Sequence, residues 1–371
     1  MYDYLIVGAG LFGCTFANKA KRAGKKCLIV EKRPHIGGNC YTCSEDGIVI
    51  HKYGAHIFRT SNRYIWEWLK TFCHFNNFIN TPIAISQKRA YNLPFNMNTF
   101  SELWGVTTPD EAFRIISNQR NEIKGSINNL EEKAISLVGR DIYLKFIKGY
   151  TEKQWGKDCK DLPASIIRRI PFRLTYDNNY FNDPFQGIPI GGYTQIFEKM
   201  IQGIPLELST DFLADKKRFL KSAKKIIYTG PIDEFYNYRF GELEYRGLNF
   251  IEKKFDIPNV QGVAVFNYPD KEVPYTRSIE HKHFEFGQQP NSIISYEYPC
   301  NWKRGQTPYY PINDEKNERL YNKYLSLSKD EGNVIFCGRL GSYKYFDMQD
   351  TILSALKLVT DEISFEAATT Y

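Results

Sequence analysis

Six residues near the N-terminus, Gly8-Ala9-Gly10-Leu11-Phe12-Gly13, constrain this chain more than any other feature. Before them, Tyr2-Asp3-Tyr4-Leu5-Ile6-Val7 is short and largely apolar, as a buried strand is. After them, residues 14–22 read as a helix stopped by Gly24, and Lys26-Cys27-Leu28-Ile29-Val30 as a second strand that ends on Glu31. A glycine cluster alone marks many turns. Set between strand and helix, with an acid closing the next strand, it predicts a dinucleotide-binding βαβ unit. Gly8 makes the tight turn, Gly10 lets the backbone approach a pyrophosphate at the positive helix end, and Gly13 lets helix and strand pack closely, with Phe12 beside them. Glu31 is placed to accept a ribose hydroxyl.

The run Glu31-Lys32-Arg33-Pro34-His35-Ile36-Gly37-Gly38-Asn39 continues without a break. A Gly-Gly pair just after the ribose acid resembles flavoproteins of the glutathione-reductase type, which implies FAD rather than NAD. At 371 residues the chain exceeds one core and should divide into two or three domains. The 26 Tyr and 26 Phe make it unusually aromatic, which suits stacking on planar ligands, although most such rings form core. Its net charge of +7 is scattered, with only short runs such as Lys216-Lys217-Arg218, and this favours a small anion over nucleic acid. Met1 leads directly into a strand with Asp3, and no apolar stretch approaches a membrane span, so a cytoplasmic protein is expected. Eight Cys are expected to be reduced and largely buried. Cys40-Tyr41-Thr42-Cys43 lacks the second pair a zinc site needs and does not open a helix as a redox motif does, so no metal is expected.

Further along, residues 47–53 read as a strand and 53–60 as a polar, glycine-bearing loop, followed by a helix capped by Ser61 with Ile65, Trp68, Leu69 and Phe72 on its apolar face. Residues 83–93 suggest a strand pair. The segments 100–103, 109–121, 129–138 and 141–149 have helical periodicity, with Thr108 before Pro109 as a cap. Short strands are expected at 260–267, 275–279 and 293–298, and a closing strand and helix at 333–339 and 350–363. The expected fold is therefore α/β: an FAD-binding Rossmann-like domain (1–79, 186–237 and 328–371), an inserted helical domain (96–168) and an antiparallel sheet domain on the substrate side (80–95, 169–185 and 238–327). The aromatic end of the helix before Trp155, beside the basic loop ending at Pro171, is a plausible nucleotide clamp, and equally plausible as packing beside a solvated loop.

Several interior motifs then coincide: Tyr53-Gly54-Ala55-His56-Ile57-Phe58, Tyr150-Thr151-Glu152-Lys153-Gln154-Trp155, Tyr176-Asp177-Asn178-Asn179-Tyr180-Phe181, Thr276-Arg277-Ser278-Ile279-Glu280-His281-Lys282, Pro308-Tyr309-Tyr310-Pro311, and Gly338-Arg339 through Tyr345-Phe346-Asp347-Met348. Together they resemble the bacterial UDP-galactopyranose mutases over essentially the whole chain. The resemblance implies a redox-neutral contraction of UDP-galactopyranose to UDP-galactofuranose, with N5 of reduced FAD as nucleophile at the anomeric carbon. It implies that Arg169 and Arg277 hold the diphosphate, that Phe146, Tyr150, Thr151 and Trp155 frame the uridine, and that Tyr180, Tyr310 and Tyr345 line the diphosphate and sugar with Asp347 near them. His56 would sit by the flavin and Arg339 along it; Lys32, Gly38, Asn39 and Met348 would complete the FAD site. A homodimer and an external reductant, such as a reduced nicotinamide cofactor, are also implied. Where family members commonly carry His, this chain has Arg59, a longer and permanently charged donor that could reach a C2 acetamido carbonyl and admit UDP-N-acetylgalactopyranose. The competing classes are an FAD-dependent oxidoreductase of the amine oxidase or desaturase type, and a non-catalytic binding protein on the same scaffold, like the GDP-dissociation inhibitors.

Overall fold

A computed structural model describes residues 1–167 and 172–368, with side chains to 363. Its centre is a five-stranded parallel sheet in the order Val334–Phe336, Ala223–Tyr228, Tyr2–Val7, Cys27–Val30, Leu206–Glu207. Tyr2–Val7 is the middle strand, with Leu5 facing Ile226 on one side and Leu28 on the other. Both faces of that strand are covered, which is why Tyr4, Leu5 and Ile6 form an apolar run without alternation. The helix Leu11–Arg22 packs against one face, setting Phe16 edge-on to Tyr4 at 5.1 Å, and is flanked by the helices Thr194–Ile201 and Met348–Ala368. At Gly13 a side chain would overlap the carbonyl oxygen of Gly8, so the third glycine is required by helix–strand contact.

The second sheet has seven strands, in the order Tyr310–Pro311, Tyr245–Phe255, Ser292–Asn301, Arg277–Glu280, Val265–Asn267, Ile83–Ser86, Arg89–Asn92. Every junction is antiparallel except one: Val265–Asn267 runs parallel to Ile83–Ser86, where a chain segment from before the helices joins one from after them. The helices Met97–Trp104, Pro109–Arg120, Leu130–Val138 and the continuous run from Arg140 to Trp155 gather around Phe100, Ile116, Leu130, Tyr143 and Phe146. Within that run Tyr143–Lys148 is a π-helix. The Thr108 cap is present as a full capping box with Glu111.

Several boundaries differ from the sequence reading. The helix expected to be capped by Ser61 is capped by Asn62, whose side chain accepts the N–H of Ile65 at 3.2 Å, while Ser61 donates to Asp183 at 2.8 Å. The helix expected at 100–103 begins at Met97 because Asn96 and Thr99 form a capping box. The final helix begins at Met348 rather than 350, with the Asp347 carboxylate accepting the N–H of Asp350 at 2.8 Å. Two of the longer elements escaped the sequence reading, besides short ones such as the strand Phe58–Thr60 inside the expected 53–60 loop. Tyr245–Phe255 is an eleven-residue strand whose second half is largely exposed, so Glu252, Lys253 and Lys254 obscure it. Glu315–Ser328 is a helix, capped by Asp314, that buries only Asn317 and Tyr324; its apolar stripe is too thin to read.

Candidate active site

A cavity of about 920 Å³ lies between the two sheets, its wall running from Gly8, Gly10 and Gly38 to Phe146, Tyr150 and Arg277. At the first end the Gly10 and Gly38 backbones face each other: a side chain on Gly38, which has φ +56°, would come within 3.0 Å of the Gly10 Cα. No side chain caps the start of the helix Leu11–Arg22, and its first turn holds no acid, so its N–H groups are open to an anion. Glu31 is buried and oriented by the N–H groups of Ala9, at 2.7 Å, and Arg33, at 2.9 Å; carboxylate lone pairs remain for a hydroxyl. Phe12, Gly13, Asn39 and Met348 stand on the same wall. Lys32 is there too, paired to Asp211 at 3.0 Å and Glu234 at 3.4 Å.

Arg33, which the sequence reading passed over, stacks on Tyr53 at 4.4 Å and donates to Asn39 at 3.0 Å, while its Nη1 is buried without a hydrogen-bond partner. Arg339 donates to the carbonyl of Tyr309 and its Nε is likewise buried and unsatisfied. Two buried cationic donors aimed at no protein acceptor are costly unless a ligand supplies one. With the glycine cradle and the open helix start, they fit a dinucleotide such as FAD. His56 donates from Nδ1 to the carbonyl of Gly54 at 2.8 Å if that nitrogen carries the proton, leaving Nε2 as the acceptor. Burial, with Arg339 and Arg277 nearby, pushes its pKa down to about 4, so the ring is neutral.

Toward the other end, Arg277 meets the wholly buried Glu297 with Nη2 2.8 Å from Oε2 and Nε 3.1 Å from Oε1. Burial disfavours the guanidinium charge, but the adjacent carboxylate outweighs it and holds the pKa well above the ordinary arginine value. The two residues are cross-strand partners, so an acid inside the otherwise apolar 292–301 run was the available sequence signal for Glu297. Tyr150, Tyr180, Tyr310, Tyr345 and Phe146 share this wall. Burial raises the Tyr150 hydroxyl to about 12 and those of Tyr180 and Tyr310 above their ordinary value, so all three remain O–H donors. Tyr345 is exposed, 5.8 Å from the Tyr310 ring and 5.3 Å from the Arg339 guanidinium.

Thr151 and Trp155 are not on the cavity wall. Phe146 and Tyr150, four apart, share the cavity face; one residue on, about 100° around the helix, Thr151 is buried, and Trp155 packs against the helical core. Arg59 is not a free donor: it pairs with Asp183 at 2.6 Å and Asp347 at 3.1 Å and lies 4.9 Å from the Phe181 ring. Nothing in the sequence marked Asp183. Arg169 lies outside the described residues. The eight Cys are free thiols, and among the described residues no group of three or more His, Cys, Asp or Glu could hold a metal ion. No helix among them is long and apolar enough to cross a membrane.

A glycine-cradled parallel sheet sharing a deep cavity with a second, mostly antiparallel sheet defines an FAD-binding protein of the glutathione-reductase type. Residues 145–345 match the family model of UDP-galactopyranose mutase, and residues 6–72 that of an NAD(P)-binding Rossmann-like domain. The chain is 38% identical, over 98% of its length and 95% of the relative's, to a Klebsiella pneumoniae protein described as a "probable UDP-galactopyranose mutase". It is 35% identical to the dTDP-fucopyranose mutase of Escherichia coli, over 96% of this chain and 97% of that one. A crystal structure of reduced UDP-galactopyranose mutase superposes with a TM-score of 0.75 at 15% identity, covering 98% of this chain and 96% of that one, and shares the fold. The chain belongs to the UDP-galactopyranose mutase family.

Proposed function

We propose that this protein contracts UDP-galactopyranose to UDP-galactofuranose without net redox change, in the cavity that joins the FAD cradle to Arg277. That continuity is the observation carrying the reading: one continuous space offers a dinucleotide cradle, then a buried guanidinium and a row of tyrosine hydroxyls. When bound, reduced FAD supplies an electron-rich N5 able to attack the anomeric carbon as UDP departs. Arg277, oriented by Glu297, holds the diphosphate both while it is bonded to the sugar and after it has left, so that it can return. Tyr150, Tyr180 and Tyr310 stay protonated and donate to phosphate or sugar oxygens. Neutral His56 presents an acceptor and no added charge beside the FAD. Arg339 and Arg33 take the anionic part of FAD through the donors the protein leaves unsatisfied. Arg169 is assigned to the diphosphate by motif.

The same reading assigns FAD to 1–79, 186–237 and 328–371, and the substrate side to the helical and second-sheet segments between. It extends to a homodimer in the cytoplasm, reduced by an external donor such as a reduced nicotinamide cofactor. A wider substrate range is supported by Arg59, which lines the cavity and keeps N–H groups beyond those given to Asp183 and Asp347. These suit a C2 acetamido carbonyl. The test is to incubate reduced holoenzyme with UDP-galactose, its N-acetyl analogue and dTDP-fucose, separating products by chromatography. Furanose products without consumption of reductant are expected. Reductant lost in proportion to product would identify an oxidoreductase instead.

A further inference from the structure

Lys153 sits on the helix Gly149–Trp155, whose Tyr150 faces the cavity, yet its ammonium is half-buried and set among the main-chain carbonyls of one loop, 268–275. Nζ lies 2.6 Å from the oxygen of Tyr268, 2.8 Å from that of Asp270, 2.9 Å from that of Val273 and 3.0 Å from that of Tyr275. An ammonium has three protons, so four oxygens at these distances surround it as an oxygen cage surrounds a monovalent cation. Of the neighbouring acids, the Asp270 carboxylate accepts from Ser86 Oγ and the Gln87 N–H, both at 2.7 Å, Glu152 pairs with Lys271, and Glu272 is exposed.

Without the cation, four carbonyl dipoles would converge on one another in a partly buried site, an arrangement the loop cannot keep. The same loop touches the helix one turn earlier, where the Pro269 oxygen lies so close to Gly149 that a side chain there would overlap it. At the helix end, Arg246 Nε donates to the carbonyl of Gln154 at 2.7 Å and fixes that terminus independently. Asn267 and Pro269 line the same cavity as Tyr150, and the loop leads through Thr276 into Arg277.

We propose that loop 268–275 is a monovalent-cation cage whose resident cation is the Lys153 ammonium, and that Lys153 is a positioning residue setting the distance between the Tyr150 wall and the Arg277 strand. The consequence is an effect on nucleotide affinity rather than on the chemical step. This rests on reading the cavity as a nucleotide-sugar site.

The experiment uses FAD-loaded protein and UDP as the probe. Lys153→Ala is expected to retain flavin, to bind UDP about tenfold more weakly, and to raise KM for the sugar nucleotide by a similar factor with kcat within about twofold. Ethylammonium chloride should restore at least threefold of the lost affinity, whereas tetramethylammonium chloride, which donates no hydrogen bond, should not. Lys153→Met keeps the packed stem and guards against a folding failure; in it the amides of 268–275 should exchange hydrogen about tenfold faster while the rest of the sheet is unchanged. Unchanged UDP affinity in Lys153→Ala overturns the proposal, as does a loss that both salts restore equally. Wild-type protein that does not bind UDP at all would instead overturn the reading of the cavity.

Discussion

Glu297 has no exposed surface, and its charge is tolerable because Arg277 and the Thr276 hydroxyl, at 3.2 Å, answer it. Arg277→Ala therefore does two things: it removes the cavity's buried guanidinium and strands an acid, which costs on the order of 3 to 5 kcal/mol. Turnover should fall more than tenfold and the melting temperature should drop. Arg277→Gln combined with Glu297→Gln separates the effects, because two neutral amides can pair. Its melting temperature should return toward wild type while turnover stays low; recovery of both would remove Arg277 from the diphosphate site. For Arg59→His, activity on the N-acetylated sugar should fall ten- to a hundredfold more than on UDP-galactose, since one charged-to-neutral hydrogen bond contributes roughly 1.5 to 3 kcal/mol. Equal losses on both sugars would mean that Arg59 only bridges Asp183 and Asp347.

Helix ends and strand faces decided what could be read without coordinates. The first βαβ unit was legible because its glycines serve local geometry: Gly13 touches the Gly8 carbonyl, and Glu31 turns back onto the N–H of Ala9. Cavity residues on regular elements were legible through their motifs, down to Arg277, Tyr310 and Arg339. Thr151 and Trp155 were not separable from Tyr150 by motif, because a motif carries no rotation, and the helix turns them to other faces. Asp183 was invisible because Arg59, its partner, lies 124 residues away in no shared motif, whereas Glu297 showed only as an acid within a strand whose pairing with the Arg277 strand the sequence does not state. Asp347 shows how one residue can join an element to the site: its Oδ1 caps the helix Met348–Ala368 and its Oδ2 holds Arg59. Asp347→Ala should lose the cap, at about 1 kcal/mol, whereas Asp347→Asn should retain most of it. Thermal unfolding of both variants checks the difference, and equal destabilisation would show that the charge matters more than the cap.

The interior between the two sheets contains imidazoles that the fold keeps neutral. His51 Nδ1 accepts the main-chain N–H of His56 at 3.2 Å, and His281 Nδ1 accepts that of His51 at 3.3 Å, so each ring carries its proton on Nε2; that of His281 reaches Ser295 Oγ at 2.7 Å. Protonating His51 Nδ1 would break the bond that holds the His56 loop, and protonating His281 Nδ1 would break the bond to the His51 main chain. Burial pushes the pKa of His56 down to about 4, that of His281 down to about 3, and that of His51 well below the ordinary value. The unfolded chain titrates these groups near 6.5, so below that pH it binds protons that the folded protein refuses, and stability falls as pH drops. Asp233, raised to about 6 by burial, acts in the opposite sense between that pH and its unfolded value. Three imidazoles against this one acid leave stability falling as pH drops through the interval from 6 to 5. The urea midpoint of the holoenzyme should accordingly be flat from pH 8 to 7 as far as these groups are concerned, then decline steeply from 6.5 toward 5. His281→Asn, whose side-chain oxygen can replace Nδ1 as acceptor but cannot take up a proton, should reduce that slope. A midpoint that does not change between pH 7 and 5 would mean that the buried rings are solvated in solution and do not hold the loop as neutral acceptors.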